Sequence, residues 1–285
     1  MKSARTTPWA GVIVLALAIV AAPASATSLE KVFNDFQQIL DRHLTEKDLD
    51  HDGLVTAFDY HQALAKDETM ALVQQQRAAL ADFDPSRIDD RESFNAFWLN
   101  AYNFFMIAHI LEERPDGEVV ESVWDYGGRV NPFRKNVFER ELFDIGGKKY
   151  SLDQMEKGIL LGEEAWDKGW ADARVHFAVN CASVGCPPLR AQMYTTDNVD
   201  DLYAENTRRA LNTDRQLHVD GNTLMLSSLF DWYEQDYERE EGSVRDWIRK
   251  HGDERVADKL DGTNRIRYID YDWNLNSPGN FPEFD

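Results

Sequence analysis

Residues 93–113 constrain the fold more than any other segment of the sequence. Apolar residues occupy nearly every face of the helix that their spacing predicts, and Ser93 stands where an N-terminal cap is expected. A helix that is apolar all round has no face for water, so other elements have to bury it. Asn100, Asn103 and His109 interrupt the run, which argues against a membrane span. We therefore predict a buried central helix whose amides either bond to backbone of the cysteine loop or of the YDWNLN segment, or line a polar pocket.

The rest of the chain alternates helical periodicity with short strands. Gly146-Gly147 and Asp220-Gly221-Asn222 separate pairs of short strand-like segments and predict hairpins. Val175–Val179 is predicted as a buried strand, and Arg265–Tyr271 as the last strand. Because helices dominate and the strands are local, we predict an α+β fold. It is expected to be a mostly helical single domain with short antiparallel hairpins and a buried central helix.

Residues 1–26 have the layout of a secretory signal peptide. Lys2 and Arg5 precede an apolar run over Gly11–Ala22, and Ala24-Ser25-Ala26 is a small-residue cleavage site. The apolar run is short for a membrane anchor. We therefore expect a periplasmic or secreted protein with no membrane span after cleavage. Removing 26 of the 285 residues leaves 259, enough for one domain to bury a core without cross-links.

The chain is strongly acidic, with a formal net charge of −20 that becomes −22 once Lys2 and Arg5 are removed. A surface of this charge repels phosphate backbones and anionic lipid. Nucleic-acid binding is therefore excluded as a function class. A solvated acidic surface, attraction of metal ions, and an unidentified protein or small-molecule partner all agree with this charge.

The segment DLDHDGLVTAFD, residues 48–59, fits the twelve-residue calcium loop of an EF-hand, with Gly53 at the sharp turn. Helical patterns flank it, so residues 27–80 are predicted to form a helix–loop–helix packed on a main domain of residues 81–285. Calcium is the cofactor that this pattern predicts, and an ordinary Asp/Gly turn is the alternative. The predicted ligands are Asp48, Asp50, Asp52, Leu54 through its carbonyl, and Asp59.

The two cysteines of the chain, Cys181 and Cys186, lie in RVHFAVNCASVGCPPLR. Gly185 and Pro187 favour a tight loop. Such a loop brings the Cα atoms of the two cysteines within the ~4.4–6.8 Å that a disulfide needs. An exported protein meets an oxidising compartment, where such a pair forms a bond. Three roles remain open at this point: a structural disulfide, a catalytic or redox thiol pair, and two inert thiols.

For thiol chemistry, Cys181 is the candidate nucleophile, because it follows the predicted strand, and the second cysteine is the resolving partner. His176 is the candidate base. On a strand its odd offset from Cys181 places the two side chains on opposite faces, so the loop would have to bend back. His109 and His218 are alternative bases from elsewhere in the chain. Asn180 is a candidate oxyanion donor or, alternatively, a cap for the loop backbone.

Six blocks from about Asp59 to Asn276 resemble, in the same order, the bacterial and plant family catalogued as domain of unknown function 547. The blocks are FDYHQAL, AFWLNAYN, YSLDQMEKGIL, VHFAVNCASVGCPPLR, LSSLFDWYEQDY and YIDYDWNLN. The resemblance implies no assigned reaction, although plant members fused to a glutaredoxin-like module imply thiol chemistry. The family commonly has histidine after the glutamate of the SLD block, whereas this chain has Lys157 after Glu156. A base at that position in relatives would be missing here.

Two functions follow as expectations. The first is an exported thiol-dependent enzyme or redox protein that uses Cys181 and Cys186. The alternative is a non-catalytic binding or assembly protein of the envelope, with a structural disulfide and a calcium-stabilised loop.

Overall fold

The computed structural model of the protein describes residues 29–129 and 135–285. The predicted signal peptide lies outside these residues. The described chain is a mostly helical α+β domain, which confirms the predicted fold class. The helices are α1 (Leu29–Val32), α2 (Asn34–His43), α3 (Tyr60–Leu64), α4 (Asp67–Asp82), α5 (Arg91–Glu112), α6 (Glu163–Asp167), α7 (Val199–Leu211), α8 (Leu229–Trp232), α9 (Glu234–Glu241), α10 (Val244–His251) and α11 (Glu254–Asp261).

Short strands form three small sheets between these helices. The hairpins predicted around residues 146–147 and 220–222 are confirmed. The last strand pairs in parallel with its neighbour, so the prediction of antiparallel hairpins alone was incomplete. The strands are β1 (Leu44–Asp48), β2 (Leu54–Phe58), β3 (Phe143–Ile145), β4 (Lys148–Tyr150), β5 (Leu217–Asp220), β6 (Thr223–Ser227) and β7 (Arg265–Ile269).

The predicted central helix is α5, and every residue from Asn95 to Leu111 is buried. It begins at Arg91 because the carboxylate of Asp90 accepts a hydrogen bond from the Ser93 N–H at 2.7 Å. Asp90, and not Ser93, is therefore the N-terminal cap. Within residues 29–129 and 135–285, none of the helices has the length and hydropathy needed to cross a membrane.

Two buried amides of α5 hold other segments in place. Asn100 donates to the carbonyl of Tyr194 at 2.7 Å and accepts from the Tyr194 N–H at 2.9 Å. Asn103 donates to the carbonyl of Ala178 at 2.9 Å and accepts from the Asn180 N–H at 2.8 Å. Both amides are satisfied, as burial requires. The central helix therefore fixes the position of the backbone that leads into the cysteine loop.

The larger hydrophobic core surrounds α5 and includes the N-terminal helices. The ring of Phe33 lies 5.5 Å from that of Phe97, and the ring of Phe36 lies 5.9 Å from that of Phe104, both edge to face. Such pairs add about 0.5–1.5 kcal/mol each beyond the burial of their area. A second core cluster lies around Trp247, between the β5–β6–β7 sheet and the C-terminal helices.

The buried His109 is expected to make the free energy of unfolding depend on pH in the acidic range. Burial, reinforced by Arg140 and Arg77, lowers its pKa from 6.5 to about 4. Because the folded state holds this histidine neutral, stability is fully present above pH 6.5 and is lost as the pH falls towards 4, by about 3 kcal/mol. We expect His109→Gln to flatten the dependence of unfolding free energy on pH in that range. Urea unfolding at several pH values measures it, and equal slopes for both proteins would contradict it.

Candidate functional site

The cysteine loop follows a 3₁₀ helix over Ala173–Phe177, where a buried strand was predicted. The strand prediction was wrong because the Asp172 carboxylate accepts the Arg174 N–H at 2.9 Å and so caps a helical turn. The chain then reverses, and the sulfurs of Cys181 and Cys186 lie at disulfide distance, with Cα atoms 6.3 Å apart. The predicted proximity of the two cysteines is confirmed.

Hydrogen bonds outside the disulfide hold the loop. The Asn180 side chain accepts from the Ala182 N–H at 2.9 Å and donates to the Pro187 carbonyl at 2.9 Å, so it spans the loop from end to end. Asn276 donates its side-chain amide to Asn180 Oδ1 at 3.1 Å and its backbone N–H to the Ala182 carbonyl at 3.0 Å. Asn180 therefore caps the loop backbone. This was the alternative to the predicted role of oxyanion donor.

Backbone strain is present between the two cysteines. Ala182 has φ of +59°, in the left-handed region that a residue with a Cβ atom rarely adopts. Such a conformation costs about 1–2 kcal/mol and persists only where neighbouring contacts enforce it. The bonds to Asn180 and Asn276 provide that enforcement.

The two sulfurs differ in exposure and in hydrogen bonding. Cys181 is half-buried, whereas Cys186 is 9% exposed. Cys186 Sγ accepts from the Cys181 N–H at 3.0 Å and from the Tyr271 hydroxyl at 3.1 Å. Tyr271 Oη also lies 3.2 Å from Cys181 Sγ. Burial raises the pKa of Tyr271 far above its ordinary value, so its hydroxyl stays protonated and remains a donor.

Gly185 lets the loop approach Tyr271 closely. A Cβ atom at this position would lie 3.0 Å from the tyrosine ring, closer than a side chain normally packs. The Gly185 N–H donates to the Asp272 carbonyl at 2.9 Å, and the Val184 N–H donates to the Asn274 carbonyl at 2.9 Å. The loop is thereby fixed against residues 271–276, with the tyrosine hydroxyl beside both sulfurs.

Both cysteines line a pocket of about 520 Å³, within the size range of small-molecule sites. Aromatic side chains form much of its wall, and charged groups of both signs lie among them. The aromatic members are Tyr102, Trp124, Phe138, Trp232, Tyr233, Tyr271 and Trp273, and the charged or titratable members are Arg129, Glu139, Asp153, Glu156, Lys157, His176 and Asp236.

His176 lies in this pocket between two carboxylates. Its Nδ1 is 3.2 Å from Glu156 Oε1, its Nε2 is 2.8 Å from Asp236 Oδ2, and its ring stacks on Tyr233 with centroids 3.8 Å apart. Burial alone lowers the pKa of His176, but the hydrogen bonds to Asp236 and Glu156 outweigh burial and leave the pKa raised. The buried ring therefore favours its charged form.

Residues 85–210 match the model of the family described as "Protein of unknown function, DUF547". The matched region contains α5, His176 and both cysteines, and it supports the resemblance carried by the six sequence blocks. Neither a curated protein nor a solved structure gives a match to the chain. The DUF547 match gives no reaction, so function has to be argued from the pocket itself.

Of the residues predicted for thiol chemistry, His176 and both cysteines line one pocket of this DUF547-like region, whereas Asn180 supports the loop behind it. His176 does not take the predicted position of a base for Cys181, because both of its ring nitrogens face carboxylates and no hydrogen bond within the described residues joins it to either sulfur. His109 and His218 do not line the pocket.

Among the pocket residues that the sequence prediction missed, Glu156, Asp236 and Tyr271 contact His176 or the two sulfurs. Each belongs to one of the six blocks that carry the family resemblance, in YSLDQMEKGIL, LSSLFDWYEQDY and YIDYDWNLN. Their position within those blocks was the signal that could have identified them.

The acidic loop, which α2 and α3 flank, forms a β-hairpin. β1 pairs with β2 in antiparallel register, and a 3₁₀ turn over Asp50–Asp52 joins them. The sharp reversal occurs at His51 and Asp52, which have positive φ, and not at Gly53, whose φ is −68°.

The side chains of this hairpin do not converge on one point. Asp48 pairs with Arg209 and Asp52 pairs with Arg208, while the Asp59 carboxylate accepts the Gln62 N–H at 2.8 Å and caps α3. Asp50 is exposed, and Leu54 is buried in β2. Within residues 29–129 and 135–285, no group of three or more metal-ligating side chains is present. This geometry does not fit a calcium loop, and calcium binding stays a prediction from the sequence.

Proposed function

We propose that this protein is an exported thiol–disulfide exchange protein in which Cys181 and Cys186 carry the chemistry. The observation that supports this most directly is the position of the disulfide, which lines a pocket of ligand size with the Cys181 side half-buried. Export rests on the predicted signal peptide, and an oxidising compartment keeps the pair in its disulfide form.

Reduction of the pair follows from the exposure of its two sulfurs. A thiolate from an external thiol attacks Sγ of Cys181, the more exposed of the two, forming a mixed disulfide as the Cys181–Cys186 bond breaks. The bonding electron pair leaves with Cys186, which becomes a thiolate. A second external thiolate then attacks the external sulfur of the mixed disulfide, releasing one external disulfide and the Cys181 thiolate. Two thiols are thereby oxidised, and their protons end on the two cysteines or in water.

The surroundings of Cys186 suit a leaving thiolate. The Cys181 N–H and the Tyr271 hydroxyl both donate to its sulfur, at 3.0 and 3.1 Å. Hydrogen bonds to an anion are stronger than those to a neutral acceptor, so both contacts strengthen as negative charge develops on this sulfur.

A purely structural role for the Cys181–Cys186 disulfide does not account for its position in the pocket. A bond that closes a loop of about six residues stabilises a fold by only ~2 kcal/mol in the chain-entropy model. The contacts of Asn103, Asn180 and Asn276 already hold the backbone on both sides of the sulfurs. The disulfide is therefore not needed to define the loop, whereas its position in the pocket gives a substrate access to it.

Native-state redox titration tests the proposal. We expect the pair in the folded chain to open reversibly in dithiothreitol and to reform in oxidised glutathione, because Cys181 Sγ faces the pocket. Alkylation followed by intact-mass measurement counts the opened thiols, while near-ultraviolet circular dichroism reports the fold. A pair that resists both reagents until the chain is denatured would overturn the proposal.

The second candidate is ligand binding without sulfur chemistry, as in a non-catalytic protein of the envelope. The observation that favours it is the aromatic wall, where the rings of Trp232 and Trp273 stack at 5.7 Å and that of Trp124 lies 4.7 Å from Trp273. Such surfaces bind small molecules in many folds. A disulfide that stays closed in the native titration would favour this candidate.

A further inference from the structure

Arg129 lies at the rim of the pocket against three indole rings. Its guanidinium carbon is 5.4 Å from the ring centroid of Trp232, 5.4 Å from that of Trp273 and 6.0 Å from that of Trp124. A guanidinium over an indole is attracted by the electrons of the ring. These contacts hold the cation in place while leaving its N–H donors available, because a ring face accepts charge without occupying the donors.

The backbone before Arg129 supports this position. Gly127 and Gly128 have φ of +124° and +83°, which residues with side chains rarely adopt, and the Gly128 N–H donates to the Trp124 carbonyl at 2.7 Å. The turn returns the chain towards the indole of Trp124. Two consecutive glycines therefore allow Arg129 to project over the aromatic wall.

The charge of Arg129 is not neutralised in the described chain. None of the ion pairs within residues 29–129 and 135–285 includes its guanidinium. The other cations of the pocket are paired: Lys157 lies 2.9 Å from Asp153, and the ring of His176 lies between two carboxylates. Glu139 also lines the pocket, and its carboxylate accepts the Asn136 N–H at 3.0 Å. Arg129 is thus an exposed cation, held by indole rings, in the pocket that both cysteines line.

We propose that the thiol substrate carries an anionic group, a carboxylate or sulfonate, which Arg129 binds while the substrate sulfur reaches Cys181. This inference rests on the proposed exchange function and adds its substrate class. A planar guanidinium forms two parallel hydrogen bonds with a carboxylate. The net charge of −20 repels anions in general, so a preference for an anionic thiol has to come from a local cation.

The test compares how fast three small thiols open the disulfide of the full chain: anionic 3-mercaptopropionate, neutral 2-mercaptoethanol and cationic cysteamine. Rates are expressed per thiolate, because the three thiols ionise differently. We expect Arg129→Gln to slow the anionic thiol by about tenfold and to change the neutral thiol by less than about twofold. Arg129→Lys should retain part of the effect, since charge remains but paired hydrogen bonding is lost.

Arg267→Gln is the matched control, because it removes the same charge from exposed β7, outside the pocket. Its effect on all three thiols should be small. If Arg129→Gln changes the three rates equally, or changes none, the anionic-substrate inference is overturned and thiol exchange itself stands. If none of the thiols opens the disulfide of the folded wild-type chain, the exchange function fails, and this inference fails with it.

Discussion

A Cys186→Ser variant is expected to accumulate a mixed disulfide at Cys181 when it is exposed to glutathione disulfide. Cys181 is the more exposed sulfur and lines the pocket, whereas Cys186 is 9% exposed. Without Cys186 there is no internal thiol to displace the bound glutathione, so the adduct persists. Intact-mass measurement over time gives the rate of adduct formation. We expect this rate to exceed that of Cys181→Ser by at least about tenfold, because reactivity follows thiolate access.

Cys181→Ser is the matched control, since it makes the same chemical change five residues away in the same loop and leaves a single cysteine. Near-ultraviolet circular dichroism of both variants establishes that the comparison is made between folded chains. Equal labelling of the two variants, or faster labelling of Cys186 in the folded state, would contradict the assignment of Cys181 as the attacked and attacking sulfur.

A His176→Ala variant is expected to lose about 3–5 kcal/mol of unfolding free energy. The buried ring separates the carboxylates of Glu156 and Asp236, and Glu156 is 5% exposed. Removing one member of a buried charged group leaves the others without compensation, which costs far more than an average substitution. Urea unfolding measures the loss. His176→Gln, which retains a donor between the carboxylates, should lose less.

His61→Ala is the control, because His61 is an exposed histidine on α3, and we expect it to change stability by less than about 0.5 kcal/mol. If His176→Ala and His61→Ala have equal unfolding free energies, the prediction that the His176 ring stabilises the fold between Glu156 and Asp236 is wrong.

The pH dependence provides an independent measurement on His176. Because its folded pKa is raised above the ordinary 6.5, its contribution is fully present below pH 6.5 and is lost as the pH rises through the folded value. His109 has the opposite sign, since its pKa is lowered to about 4. Differences between wild type and each variant therefore separate the two histidines. A His176→Gln variant with the wild-type slope above pH 6.5 would contradict the raised pKa.

Local patterns in the sequence were sufficient for much of the fold. The spacing of apolar residues predicted the burial of α5, because a helix without a polar face has to be covered. Gly146-Gly147 and Asp220-Gly221-Asn222 predicted two hairpins, because such residues accept the backbone conformation of a tight turn. The short cysteine spacing predicted that the two sulfurs would lie close together.

Only the tertiary structure decided the composition of the pocket and the shape of the acidic loop. His176 meets Glu156 from 20 residues away and Asp236 from 60, and Tyr271 reaches the sulfurs from 85 and 90 residues away. The DxDxDG pattern lies in a hairpin, and its carboxylates Asp48 and Asp52 pair with arginines of α7, more than 150 residues later in the chain. The spacing of apolar residues predicts which face of a helix or strand is buried. It does not predict which charged residue, distant in sequence, lies against that element. Those pairings depend on packing, and packing is settled by the whole chain at once.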